Sequence, residues 1–251
     1  MFSRLTRRVK KIWAAIALLS IEMMIVLVFF VLALILFVYL TRRVFFLHNN
    51  QFDEKAFDFL SRHVSESNND MMQFFTFLGT HKFLIPANLV LIAYFLFINK
   101  HKWYSIKIPA IALSSLALMF GLKNLFDRPR PLIPLLEHAR GLSFPSGHAL
   151  MSVTFYGLLI HIVWKMRRDD PLKWPLTILL LLLILIIGFS RIYLRVHYAS
   201  DVLAGYCVGL LWLVISIWAL KQMEQYSKRT VNPIVQQPAE PVNSSESGVR
   251  S

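Results

Sequence analysis

"PLTILLLLLILIIGFSRIYLRVHYASD", residues 175–201, opens as an apolar run able to cross a bilayer and closes in a knot of ionisable groups. From Pro175 to Ser190 no residue is charged. Such a run sits in lipid as a helix, because its backbone polar groups must pair within the segment. Arg191, Arg195, His197 and Asp201 then crowd into one short connection before the next apolar run. Ionisable groups gathered at a membrane boundary favour a functional site over a plain interfacial salt bridge. His197 and Asp201 are four residues apart, so they share a face if the next helix begins near here. A carboxylate in that position fixes the tautomer of a histidine and stabilises its imidazolium.

Outward from this stretch, five more apolar runs read as spans, at about 13–40, 83–99, 106–126, 147–164 and 202–220. Several are near the lower limit of roughly 17 residues needed to cross the hydrocarbon core. The first is too long for a cleaved signal peptide and lacks a small-residue cleavage site. With 56% hydrophobic residues and a mean hydropathy of +0.54, the chain is too apolar for an ordinary soluble domain. The reading is all-α: one polytopic membrane domain of six transmembrane helices over residues 1–222. Residues 223–251 are polar and rich in Pro and Ser, and are expected to form a disordered cytoplasmic tail. Residues 44–82 form an outer, Phe-rich segment with an amphipathic pattern at Phe57, Leu60 and Val64. Such a segment serves either as an interfacial cap on the bundle or as a lid or entry wall for a lipid tail. The single cysteine, Cys207, excludes an intramolecular disulfide and any multi-cysteine metal site, and its apolar setting points to packing. The formal charge of +13 is better explained by membrane topology and by anionic lipid or phosphate than by nucleic acid.

Basic residues set the orientation. With the N-terminus inside, the inner segments carry 16 of the 27 Lys and Arg residues, although Arg42 and Arg43 lean the other way. Both termini are then cytoplasmic, in the cell inner (plasma) membrane. The third–fourth and fifth–sixth connections are extracytoplasmic, and so is the active site they would form. Two further unusual stretches fall at that face. In "KNLFDRPRP" (residues 123–131), Lys123 sits in the last turn of the third span, and Arg128 and Arg130 each precede a proline. Alone, this could be a basic helix end and a stiff turn. In "GLSFPSGHALMSV" (residues 141–153), Ser146 lies near an N-cap, Gly147 allows close backbone approach, and His148 follows. Alone, this could be simple capping, but a helix N-terminus is also a ready anion site.

Together the three stretches supply Lys123, Arg130 and Arg191 as cations, Ser146 and Gly147 as donors, and two histidines, one backed by Asp201. This composition suits a tetrahedral oxyanion. Cations and N–H groups neutralise its equatorial oxygens. One histidine can attack phosphorus while the other protonates the leaving oxygen.

The pattern Lys-x6-Arg-Pro (Lys123 to Pro131), Pro-Ser-Gly-His (Pro145 to His148) and Ser-Arg-x5-His-x3-Asp (Ser190 to Asp201) resembles the signature of the type 2 phosphatidic acid phosphatase superfamily, the lipid phosphate phosphatases. Order and internal spacings agree at every signature position. "FTFLGTHKFL" (residues 75–84) is similar to the segment before the second span in bacterial, membrane-embedded members. The resemblance implies that His197 is the nucleophile, forming a phosphohistidine, and that Asp201 orients it. It implies that His148 protonates the leaving group and then activates water. Lys123, Arg130, Ser146, Gly147 and Arg191 would hold the phosphate. Arg128 and Arg195 lie outside the motif, and Arg128 is read as a contact for a diphosphate or a lipid headgroup. The family works without a metal or other cofactor, and three motif cations beside one motif carboxylate make a poor Mg²⁺ site.

The expected function is metal-independent removal of phosphate from a membrane lipid such as undecaprenyl diphosphate, phosphatidylglycerophosphate or phosphatidate. Lipid phosphotransfer and lipid A dephosphorylation are the alternatives within the superfamily. A vanadate-dependent haloperoxidase is disfavoured by the six spans and the lack of a large soluble domain. A non-enzymatic transporter or scaffold is disfavoured by the intact His148, His197 and Asp201. The partners implied are the lipid substrate and the bilayer, with no nucleic acid.

Overall fold

Residues 21–132, 135, 141–166 and 170–236 are described in the computed structural model, and among them the chain forms eight helices and no strand. They are α1 (Ile21–Thr41, prolonged by a π-helical turn, Arg42–Phe46), α2 (Gln51–Ser61), α3 (Glu66–Phe77), α4 (His81–Ala93, prolonged by a π-helical turn, Tyr94–Ile98), α5 (Lys102–Phe126), α6 (Gly147–Met166), α7 (Lys173–Tyr193) and α8 (Ala199–Gln236). Six of them, α1 and α4–α8, are long and apolar enough to cross a membrane. Helix α1 is described from Ile21; residues 13–20 of the expected first span lie outside the described residues.

The two helix faces differ as lipid and protein would demand. Helix α1 leaves most of its large apolar side chains exposed, from Met23 through Tyr39, as suits contact with acyl chains. Helix α6 is the most buried span and packs against α8, α7 and α5. Helix α1 packs on α8, and α4 packs on α5. The α6–α8 crossing is close because Gly205 and Gly209 face α6: a Cβ at Gly205 would stand 2.6 Å from the Ser146 carbonyl oxygen, and one at Gly209 2.9 Å from that of Leu150. Small residues four apart let two membrane helices bring their backbones together.

Two of the expectations change. The outer segment is two helices, α2 and α3, joined by a short turn. On α2 the buried positions are Asp53 and Leu60, with Phe57 half-buried against Tyr198, while Val64 lies beyond the helix end and is exposed. Phe57 and Leu60 thus face inward as the apolar spacing expects, and Asp53, four residues before Phe57, shares that face, where a buried ion pair holds its carboxylate. The helix of the sixth span also runs on past residue 222. Helix α8 continues to Gln236, held in its later turns by Glu224, which pairs with Lys107 at 2.5 Å and with Lys228 at 2.6 Å. Residues 237–251 lie outside the described residues.

Candidate active site

Four helix ends converge at one end of the bundle: the C-termini of α5 and α7 and the N-termini of α6 and α8. Helices α2 and α3 close over them, packing on α7, with α2 also on α8. Each terminus has a local cause. Helix α5 stops at Asp127, which adopts a left-handed conformation (φ 45°) and donates its N–H to the Lys123 carbonyl at 3.0 Å. This leaves Lys123 in the last turn, with Nζ 2.5 Å from the Leu142 carbonyl oxygen. Arg195 is also left-handed (φ 53°) and turns the chain back after α7, so the N–H groups of Val196 and His197 both bond the Arg191 carbonyl, at 3.1 and 3.2 Å. Ser146 is the residue before α6; its carbonyl accepts from Leu150 N–H at 3.0 Å, and its own N–H donates to the Asp201 carbonyl at 2.9 Å. That last bond ties the starts of α6 and α8 together.

His197 and Asp201 meet as their spacing predicts. His197 Nδ1 lies 3.5 Å from Asp201 Oδ2, with the two side chains 1% and 0% exposed. Ser143, which sequence reading passed over, bridges them: its hydroxyl donates to Asp201 Oδ2 at 2.5 Å and lies 3.3 Å from His197 Nδ1. The Tyr198 N–H adds a further bond to Oδ2 at 3.0 Å. With Nδ1 turned to the carboxylate, Nε2 is the nitrogen that bears the lone pair, and it accepts from Arg130 Nη1 at 3.4 Å. Arg130 is fixed by the Val196 carbonyl at 2.8 Å and the Gly141 carbonyl at 3.0 Å. Burial pushes the His197 imidazole below its ordinary pKa, against the opposing pull of Asp201, so the ring is held neutral. Burial likewise lowers the Arg130 guanidinium, and Asp201 opposes that shift.

On the facing side, Arg191 is buried and donates from Nη1 to Thr76 Oγ1 at 3.3 Å; Thr76 belongs to α3 and also meets Ser190 Oγ at 2.6 Å. His148 lies within electrostatic reach of Arg191, His197, Arg130 and Lys123. Three buried polar atoms here lack a partner among the described residues: Ser146 Oγ, His148 Nε2 and Arg191 Nε. Buried polar groups are ordinarily bonded, so unsatisfied donors clustered among cations suit an anion that would complete them. The first N–H groups of α6, from Gly147 onward, add the positive end of a helix. All eight predicted residues, Lys123, Arg130, Ser146, Gly147, His148, Arg191, His197 and Asp201, thus belong to this one end of the bundle.

Arg128 corrects its sequence reading. It does not turn to a second phosphate or a headgroup: it is 7% exposed and paired with Asp201 Oδ1 at 2.5 Å and Asp53 Oδ2 at 2.9 Å. Asp53, on α2, carried no sequence signal, since its partners lie more than seventy residues away; Thr76 stands in the 75–84 stretch, but nothing local marks it as a partner of Arg191.

Residues 104–224 match the PAP2 superfamily. Phosphatidylglycerophosphatase B of Bacillus subtilis (strain 168) is 31% identical over 144 residues, covering 57% of this chain and 70% of the relative. The chain belongs to the PAP2 superfamily. Undecaprenyl-diphosphatase BcrC of the same organism is 30% identical over 166 residues, covering 62% of this PAP2 chain and 77% of the relative. A crystal structure of a transmembrane PAP2-type phosphatidylglycerolphosphate phosphatase from Bacillus subtilis is similar with a TM-score of 0.71 and 26% identity, covering 80% of this chain and 98% of that one. The PAP2 protein described here is accordingly a membrane phosphatase of lipid phosphates.

Proposed function

We propose that this PAP2 protein hydrolyses a lipid phosphate at the extracytoplasmic membrane face through a phosphohistidine on His197. The observation that carries the reading is the placement of His197, whose Nδ1 side is taken by Asp201 and Ser143 while Nε2 looks toward Arg130. The phosphate sits among Lys123, Arg130, Arg191, the Ser146 hydroxyl and the N–H groups at Gly147. The Nε2 lone pair forms the N–P bond as the P–O bond to the lipid breaks, and the electron pair of that bond leaves with the oxygen. His148 gives that oxygen its proton, then removes one from water, which attacks phosphorus and frees His197. Positive charge that develops on the His197 ring is met by Asp201. No metal enters these steps; the cations do the work of charge neutralisation.

The substrate class is a lipid phosphate such as phosphatidylglycerophosphate, undecaprenyl diphosphate or phosphatidate; the first two are named by the relatives above. The burial of Arg128 against two carboxylates leaves, among the described residues, one phosphate cradle without a second arginine clamp, which favours monoesters over diphosphates. The purified protein in detergent, assayed on these three lipids and a lipid A precursor, should rank phosphatidylglycerophosphate or phosphatidate first by kcat/KM. It should also yield an acid-labile, base-stable phosphoprotein that disappears in His197→Ala. Full turnover by His197→Ala would refute the phosphohistidine route, and a clear preference for the diphosphate would refute the ranking.

A further inference from the structure

Arg128 is a buried cation that the phosphate cradle does not use. Its guanidinium lies over the Tyr198 ring at 4.0 Å, and its two terminal nitrogens serve different carboxylates. Nη1 donates to Asp201 Oδ1 at 2.5 Å and to Ser200 Oγ at 2.8 Å. Nη2 donates to Asp53 Oδ2 at 2.9 Å and reaches Asn50 Oδ1 at 3.5 Å. Asp53, 2% exposed on α2, also accepts from Ser200 N–H at 2.8 Å and from the Ser200 hydroxyl at 2.7 Å. A buried ion network is a weak stabiliser once desolvation is counted. Its form here has a more specific consequence for the reacting histidine.

We propose that Asp53 and Arg128 are a positioning pair that holds Asp201 as the net anionic partner of His197. The proposal rests on the reading of His197 as the nucleophile. Arg128 occupies Oδ1 of Asp201, which leaves Oδ2 to Ser143, the Tyr198 N–H and His197. This fixes the rotation of the carboxylate about its own axis. Alone, however, Arg128 would cancel the charge it orients. Asp53 supplies the second negative charge, so the Asp53–Arg128–Asp201 group keeps a net −1 beside the ring. As Nε2 bonds to phosphorus, Nδ1–H takes on imidazolium character, and a net anion stabilises it where a neutral pair would not. Helix α2 thereby contributes to the charge balance of the site from outside the transmembrane bundle.

The test uses the full-length protein in detergent, with kcat and KM measured for Asp53→Asn, Arg128→Gln and the double variant. Each single change should lower kcat by about 10–100-fold, as for other partners that orient a reacting group. KM should change by less than about threefold, because the effect lies on the chemical step. The double variant should be no slower than the worse single, because the two residues act as one unit. Wild-type kcat in Asp53→Asn, a loss carried by KM, or losses that multiply in the double variant would each overturn the proposal. If Asp53→Asn does not fold, Ser200→Ala decides. It removes the hydroxyl that joins Arg128 to Asp53, and it must lower kcat ahead of KM or the proposal fails. His197→Ala, measured alongside, separates the two readings. An inactive His197→Ala with a wild-type Asp53→Asn sinks only the positioning pair, whereas an active His197→Ala sinks the nucleophile assignment.

Discussion

His197 and His148 stand in different company, and the division of labour proposed above rests on that difference. His197 has a carboxylate and a hydroxyl on one nitrogen and a guanidinium facing the other. His148 Nε2 is sealed from solvent with no partner among the described residues, in reach of three cations. Its unpartnered nitrogen is placed to pass a proton to a leaving oxygen in the proposed mechanism. General-acid help is typically worth about 10²–10⁴-fold for a poor leaving group, and far less for p-nitrophenolate. With p-nitrophenyl phosphate, His148→Ala should release a burst of p-nitrophenol and then stall, with phosphate trapped on His197; His197→Ala should show no burst. Trapped phosphate at residue 148 would reverse the roles. The same burst reports the charge on His197. Its pKa lies below the ordinary value of about 6.5, so the neutral, nucleophilic ring persists as the pH falls through that value. The burst rate constant in His148→Ala should stay flat from about pH 8 to about pH 6.5 and decline only below it. A decline centred near pH 6.5 or above would contradict the depressed pKa.

At the scale of the element, the site depends on how closely α6 and α8 cross, because one helix begins beside His148 and the other carries Asp201. A methyl group at Gly205 would meet the Ser146 carbonyl at 2.6 Å and the Ala149 Cβ at 2.9 Å, both of them rigid neighbours. Gly205→Ala should force the helices apart, costing about 1–3 kcal/mol of stability. It should also lower kcat/KM by about 100-fold, since a shift near 1 Å in a reacting group has that effect. Gly121→Ala is the control: a Cβ there meets nothing within 4 Å, and activity should be unchanged. An active Gly205→Ala would show that the crossing tolerates separation. The same elements explain what was legible in sequence. Lys123, Arg130, Ser146, Gly147, His148, Arg191, His197 and Asp201 stand at helix ends that alternate along the chain, so span counting alone brings them to one face. Ser143 and Ser200 lie close to motif residues in sequence, but nothing local marks them as ligands of a carboxylate. Asp53 looks like an ordinary surface acid on a short helix. Arg128, two residues before Arg130, looks like a second phosphate cation, and only the tertiary pairing with Asp53 removes it from that role.

Across the whole molecule, charge asymmetry and active-site placement should have one cause. The end bearing Lys107, Lys165, Lys173, Lys221 and Lys228 lies opposite the cluster of Lys123, Arg130, Arg191 and His197 along the bundle. If basic segments stay on the cytoplasmic side, the site end faces out and works on lipids of the outer leaflet. The prediction can be tested at two exposed positions, Leu132 at the site end and Leu172 at the opposite end, which are 97% and 61% exposed. Each is replaced singly by Cys in a Cys207→Ala background, which removes the buried native thiol. An impermeant maleimide applied to intact cells, with the outer barrier of a two-membrane cell opened, should label Leu132→Cys at once. Leu172→Cys should react only after the inner membrane is permeabilised. The reverse pattern would put His197 in the cytoplasm and give it cytoplasmic-leaflet phosphates, and it would make Arg42 and Arg43 the better guides to orientation. Because neither position is covered by the protein, the gain in labelling on permeabilisation, measured at each, reports its side of the membrane.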